Sequence, residues 1–136
     1  MKRCYGFRMK VLKPDHIYTS PRYAPGVLVG NTIYTAGRVP VDLNGDIVAP
    51  NDARAQTHQI LDCLEAILAE ANATLEDVVH LHTYYLHEED MPAIFEVLQA
   101  RMGTLLPPHT GSRQSSSSWE KRGIRLELEV TAVVEK

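Results

Sequence analysis

Cysteine is scarce in this chain: Cys4 and Cys63 are the only two, far apart and outside any Cys-x-x-Cys spacing. That excludes a disulfide framework and a zinc-finger pattern, and fits a reducing, cytoplasmic compartment. Cys63 falls in a segment of helical periodicity, where a free cysteine is ordinarily a small buried residue. No apolar run reaches membrane-spanning length, so no transmembrane helix and no membrane partner are expected. A strong charge of one sign is also missing. The formal charge is -3, and no basic run occurs within the domain beyond Lys121-Arg122. Broad attraction to phosphates is thereby excluded, and no nucleic-acid partner is expected. Residues 1–8 are basic but lack the apolar stretch of a secretory signal. Met9 is an alternative start, with residues 1–8 a disordered extension and residues 9–136 a single domain.

What remains is an ordinary globular composition. With 136 residues, 44% hydrophobic and 23% charged, the chain can bury one core. Val27-Leu28-Val29 and Thr32-Ile33-Tyr34-Thr35 flank Gly30-Asn31, a hairpin signal; the inverted Asn-Gly order leaves the turn type open. A helix should begin at Asn51 or Asp52, either of which can cap its free amides. Ile60, Leu61, Leu64, Ile67, Leu68 and Ala71 form its apolar stripe, and Asn72 can end it. Val78 to Leu86 reads as a strand, with His80, His82 and Tyr84 on one face and Val79, Leu81, Thr83 and Tyr85 on the other. Asp90 can cap a second helix, which buries Ile94, Phe95, Leu98 and Met102. Gly103 to Arg122 reads as an irregular loop of a length that is often functional. In the closing strand Ile124, Leu126, Leu128 and Val130 alternate with Arg125, Glu127, Glu129 and Thr131.

This order predicts an α+β fold: a three- or four-stranded sheet with two helices on one face. Its other face carries His80, His82, Glu127 and Glu129 among tyrosines, and is either solvated or set against another subunit. His80, His82 and His87 include a strand i, i+2 pair of the kind that suits a metal. No third ligand set follows from the sequence, so no metal is expected.

Several segments resemble, in order, those of one family. Ser20-Pro21-Arg22-Tyr23-Ala24-Pro25-Gly26 resembles its opening segment, and Ile33 to Pro40 its T-S-G-Q-I-P segment. Gln56 through Ala71 resembles its first helix. Pro107-Pro108-His109-Thr110, followed by Leu126-Glu127-Leu128-Glu129-Val130, resembles its P-A-R-S … I-E-I-E-A close. The family is the Rid (reactive intermediate deaminase) or YjgF family, of chorismate mutase-like fold.

The resemblance implies a homotrimer with sites between subunits. It implies hydrolysis of small enamine and imine acids, with no metal or organic cofactor. An arginine holds the substrate carboxylate and a last-strand glutamate positions water. Glu127 matches that glutamate, and a bland reading as an outward strand carboxylate stands beside it. Where the family has its arginine this chain has His109, and Arg113 lies four residues on. Either can be the anion holder, and His109 can also serve as an acid or base. Tyr23 and Tyr85 match cleft positions, Ala36-Gly37 matches a ligand-contacting backbone segment, and Arg38 replaces the usual glutamine. The leading expectation is a divergent deaminase. The alternative is a non-catalytic ligand-binding or regulatory trimer of the same fold, and a nuclease-like role is disfavoured by the acidic charge.

Overall fold

The hairpin forms as its residues suggest: β2 (Gly26–Val29) pairs antiparallel with β3 (Thr32–Thr35) in the computed structural model, which describes residues 9–135. The extension expected at residues 1–8 lies outside the described residues. Gly30 takes φ +62 while Asn31 stays out of the left-handed region, the φ signature of a type II′ turn. A short strand missed by sequence reasoning, β1 (Lys10–Leu12), adds to the outer edge of this hairpin.

Asp52 is the residue that caps α1 (Ala53–Ala69), its carboxylate accepting from the Ala55 N–H at 3.0 Å. The stripe Ile60, Leu61, Leu64, Ile67 and Leu68 is fully buried. Asn72 adopts a left-handed φ of +57 just beyond the end of that helix. The helix α2 (Met91–Met102) buries Ile94, Val97 and Leu98, while Phe95 is only half-buried. Asp90 precedes α2 but makes no side-chain cap bond. Arg125 takes its carboxylate in a two-pronged contact instead, Nε at 2.7 Å and Nη2 at 3.1 Å.

The sheet is larger than the alternation suggested. With β4 (Val78–Tyr85), β5 (His109–Arg113) and β6 (Leu126–Val133) it has six strands in the order β1-β2-β3-β6-β4-β5. The β4–β5 pair is parallel and the others antiparallel. Leu12, Ile33, Leu81, Leu126, Leu128 and Val130 line the face packed by α1 and α2. A fully buried aliphatic side chain of this size contributes about 1.5–3 kcal/mol. At the start of β4 the register shifts between Val78 and His80. Val78 therefore turns inward, and Val79, expected on the inner face, is exposed.

The stretch 103–122, expected to be irregular, contains β5 and a short helix, α3 (Ser117–Arg122). Parallel pairing with β4 makes the strand, although its residues show no apolar alternation. Ser116 starts the helix by accepting from the Trp119 N–H at 3.1 Å.

One buried polar residue ties these parts together. Gln56 on α1 has no exposed surface. Its Nε2 donates to the carbonyls of Gly123 (2.7 Å), Val48 (3.1 Å) and Ala49 (3.1 Å), and its Oε1 accepts from the Arg125 N–H at 2.9 Å. Removing it strands several buried backbone groups. Gln56→Ala should lower the unfolding free energy by about 2–4 kcal/mol, read as a lower urea midpoint at unchanged slope. A midpoint equal to wild type would mean that Gln56 does not staple these segments.

Candidate active site

The strand periodicity of β6 sends Leu126 and Leu128 into the core and Glu127 and Glu129 to the opposite, outer face. Glu127 sits opposite Tyr84 of β4, and Glu129 opposite His82. The segment after β3 crosses beside Glu127. The Ala36 N–H donates to the Pro25 carbonyl (2.9 Å), and Arg38 and Leu128 exchange backbone bonds of 2.8 and 3.1 Å. These bonds press Gly37 onto the glutamate: a Cβ at Gly37 would lie 1.8 Å from Glu127 Oε1 and 2.6 Å from its Cδ. Only glycine leaves room for the carboxylate there. Burial, then the charge of Glu129, holds the Glu127 carboxyl above its usual range.

Around this pair lies a polar cluster that sequence reasoning did not assemble. The Tyr84 hydroxyl donates to Glu129 Oε1 at 2.5 Å. The His82 ring stacks on Tyr84 with centroids 4.1 Å apart, and its Nε2 shares a hydrogen bond with the Ser112 hydroxyl at 2.9 Å. His80 contacts Thr110 at 3.4 Å. His87 points elsewhere, to Glu120 at 3.2 Å. Among the described residues no group of three or more His, Cys, Asp or Glu side chains is placed to hold a metal.

The other predicted residues do not meet Glu127 within one protomer. His109 and Arg113 are in register with Leu81 and Tyr85, which face the helices. His109 Nε2 shares a hydrogen bond with Thr83 Oγ1 at 2.9 Å, and its ring meets the Phe95 ring edge-on at 5.0 Å. Burial, then the neighbouring His82 and His80, lowers its pKa, so the ring is neutral at pH 7. Arg113 lines an open pocket of about 630 Å³ with Leu86, His87, Gln114, Ser116 and Glu120; its Nε donates to the Leu86 carbonyl at 3.4 Å. Arg38 is buried on the helix side, with Nη1 donating to the Tyr18 carbonyl at 2.9 Å and, among the described residues, no hydrogen-bond partner for Nε and Nη2. Tyr85 packs half-buried against the core. Tyr23 is exposed and lines a separate hollow with Val11, Lys13 and Arg22.

A sequence profile for the family described as Endoribonuclease L-PSP matches residues 14–134. The chain belongs to the Rid (YjgF) family. The 3-aminoacrylate deaminase RutC of Acinetobacter baylyi is 37% identical over 75 residues, which cover 55% of this chain and 60% of that protein. A RutC family protein of Pyrococcus abyssi is 33% identical over 85 residues, 62% of this chain and 67% of its own length. The crystal structure of the Escherichia coli YjgF gene product superposes with a TM-score of 0.79 at 24% identity, covering 93% of this chain and 99% of that one. The chorismate mutase-like architecture expected for a Rid protein is the one observed, here with β5 and α3 in place of a long loop. No helix among the described residues is long and apolar enough to cross a membrane.

Proposed function

We propose that this Rid protein is a deaminase, hydrolysing small enamine or imine acids to the corresponding oxo acid and ammonia without metal or organic cofactor. Glu127 carries the reading. A half-buried carboxyl held above its usual range and pressed against Gly37 keeps its proton to higher pH than an ordinary glutamate and can orient water. The enamine takes a proton at carbon and becomes the imine. Water then adds to the C=N carbon, the C–N bond breaks and the nitrogen leaves as ammonia. The name of the Acinetobacter relative, a 3-aminoacrylate deaminase, supports this reaction class. Cys63, a buried free thiol, suits a reducing compartment, and we place the protein in the cytoplasm.

The carboxylate of the substrate falls to Arg113 rather than His109, because the histidine ring is neutral and engaged by Thr83. Arg113 and Glu127 lie on opposite faces of one protomer's sheet, so a site using both needs two copies. A homotrimer with sites between subunits meets that need. Light scattering should give about three times the 15.2 kDa chain mass; a strict monomer would exclude the shared site. Ammonia release from enamines freshly generated from several amino acids tests the chemistry. Tight binding of such acids with no turnover across the set would favour the non-catalytic ligand-binding trimer, a reading kept open by His109 standing where the family has its arginine.

A further inference from the structure

Two carboxylates stand on the outer face of β6, and a proton donor is fixed on Glu129. Its Oε1 accepts from the Tyr84 hydroxyl at 2.5 Å and has His82 Nδ1 3.7 Å away. Tyr84 is held in place for this contact. The His82 ring stacks on it, nearly parallel at 10°, and His82 is anchored by Ser112 of the neighbouring strand β5. Glu127, one pleat along, meets the backbone at Gly37. We propose that Glu129, fixed by Tyr84 and the His82–Ser112 pair, is a positioning residue that acts with the burial of Glu127 against Gly37 to make Glu127 the proton-holding carboxyl of the site. The proposal rests on the reading of Glu127 as the acid–base group and adds what sets its state.

Residues two apart on a strand face lie about 6–7 Å apart, close enough in half-buried surroundings for one negative charge to oppose another. The Tyr84 hydroxyl fixes where the Glu129 carboxylate stands. A phenol donor favours the ionised form of its acceptor. The donor is present throughout the working range, because the bond to Glu129, burial and the charges of Glu129 and Glu127 push the Tyr84 hydroxyl up to about 12. The other groups facing Glu127 do not offset this. Arg125, the cation just before β6, is committed to Asp90 at 2.7 Å and Glu89 at 3.6 Å. His80 on β4 is paired with Thr110, and Tyr34 on β3 stands opposite Thr131. The segment at Gly37 brings backbone alone. Glu127 is accordingly raised by burial and by Glu129.

The test is a pH titration of the glutamate side-chain carboxyls by carbon-13 NMR, in the full chain and in Glu129→Gln and Tyr84→Phe. Glu129→Gln removes the opposing charge, so the Glu127 midpoint should move to lower pH. Tyr84→Phe removes the donor that holds the Glu129 carboxylate in place, and should move the midpoint the same way by less. Circular dichroism identifies variants that keep the fold, and Tyr84→Phe serves if Glu129→Gln does not. A purely structural role would lower the melting temperature and leave the Glu127 midpoint in place. An unchanged midpoint in a folded variant overturns the proposal. If the midpoint moves but wild type releases no ammonia, the deaminase reading fails and the coupling stands. If wild type releases ammonia and the midpoint stays in place, the coupling fails and the deaminase reading stands.

Discussion

Glu127→Gln should lose about 10²–10⁴-fold in kcat for ammonia release, the range expected when a positioned acid–base group is removed. Glutamine keeps the shape of the side chain and its fit against Gly37, so KM should change little. It cannot give or take a proton at any working pH, so any pH dependence of the rate that Glu127 sets should vanish with it. The folded state should not suffer, because the change removes a carboxyl whose ionisation burial opposes. Wild-type turnover in a folded Glu127→Gln protein would remove this residue from the chemistry. Equal loss of turnover and of melting temperature would point instead to a packing role.

Arg113→Ala should weaken binding of a small oxo acid by about ten- to a hundredfold, the equivalent of the 1.5–3 kcal/mol of a hydrogen bond to a charged group. His109→Ala should change affinity little. The pH dependence separates the two further. A guanidinium keeps its charge across the working range, so affinity held by Arg113 stays flat as pH rises. Affinity held by His109 would fall away as the ring loses its proton, and its lowered pKa sets that loss below the ordinary histidine range. Isothermal titration of both variants at two pH values reads the difference. If neither alanine change alters affinity, carboxylate capture by these residues is wrong for this protein.

Sequence reading succeeded where side-chain period is decided locally. The hairpin follows from its strand residues and Gly30-Asn31 turn, and the α1 stripe and the β6 alternation from residues spaced to one face, which are buried as that spacing requires. It failed where a partner element supplies the structure. His109-Thr110-Gly111-Ser112-Arg113 carries no strand pattern and becomes a strand because β4 offers its edge. Val79 leaves its expected face because of a shift in pairing with β6. Asp90 is lost as a cap to an arginine far along the chain. The site divides the same way. Glu127 is legible from its place in Leu126-Glu127-Leu128-Glu129 together with the family resemblance. The link from Tyr84 to Glu129 depends on the β4–β6 register, which no local spacing encodes.

The strand that closes the chain is also an interior strand of the sheet: β6 lies between β3 and β4, hydrogen-bonded to both. During synthesis, which proceeds from the N-terminus, β3 and β4 therefore emerge with their inner edges unpaired. The core face supplied by Leu126, Leu128 and Val130 arrives last. Until residues 126–133 clear the ribosome, the nascent chain holds two helices without the middle of the sheet they cover. That is the interval in which edge-to-edge association with another chain competes with folding.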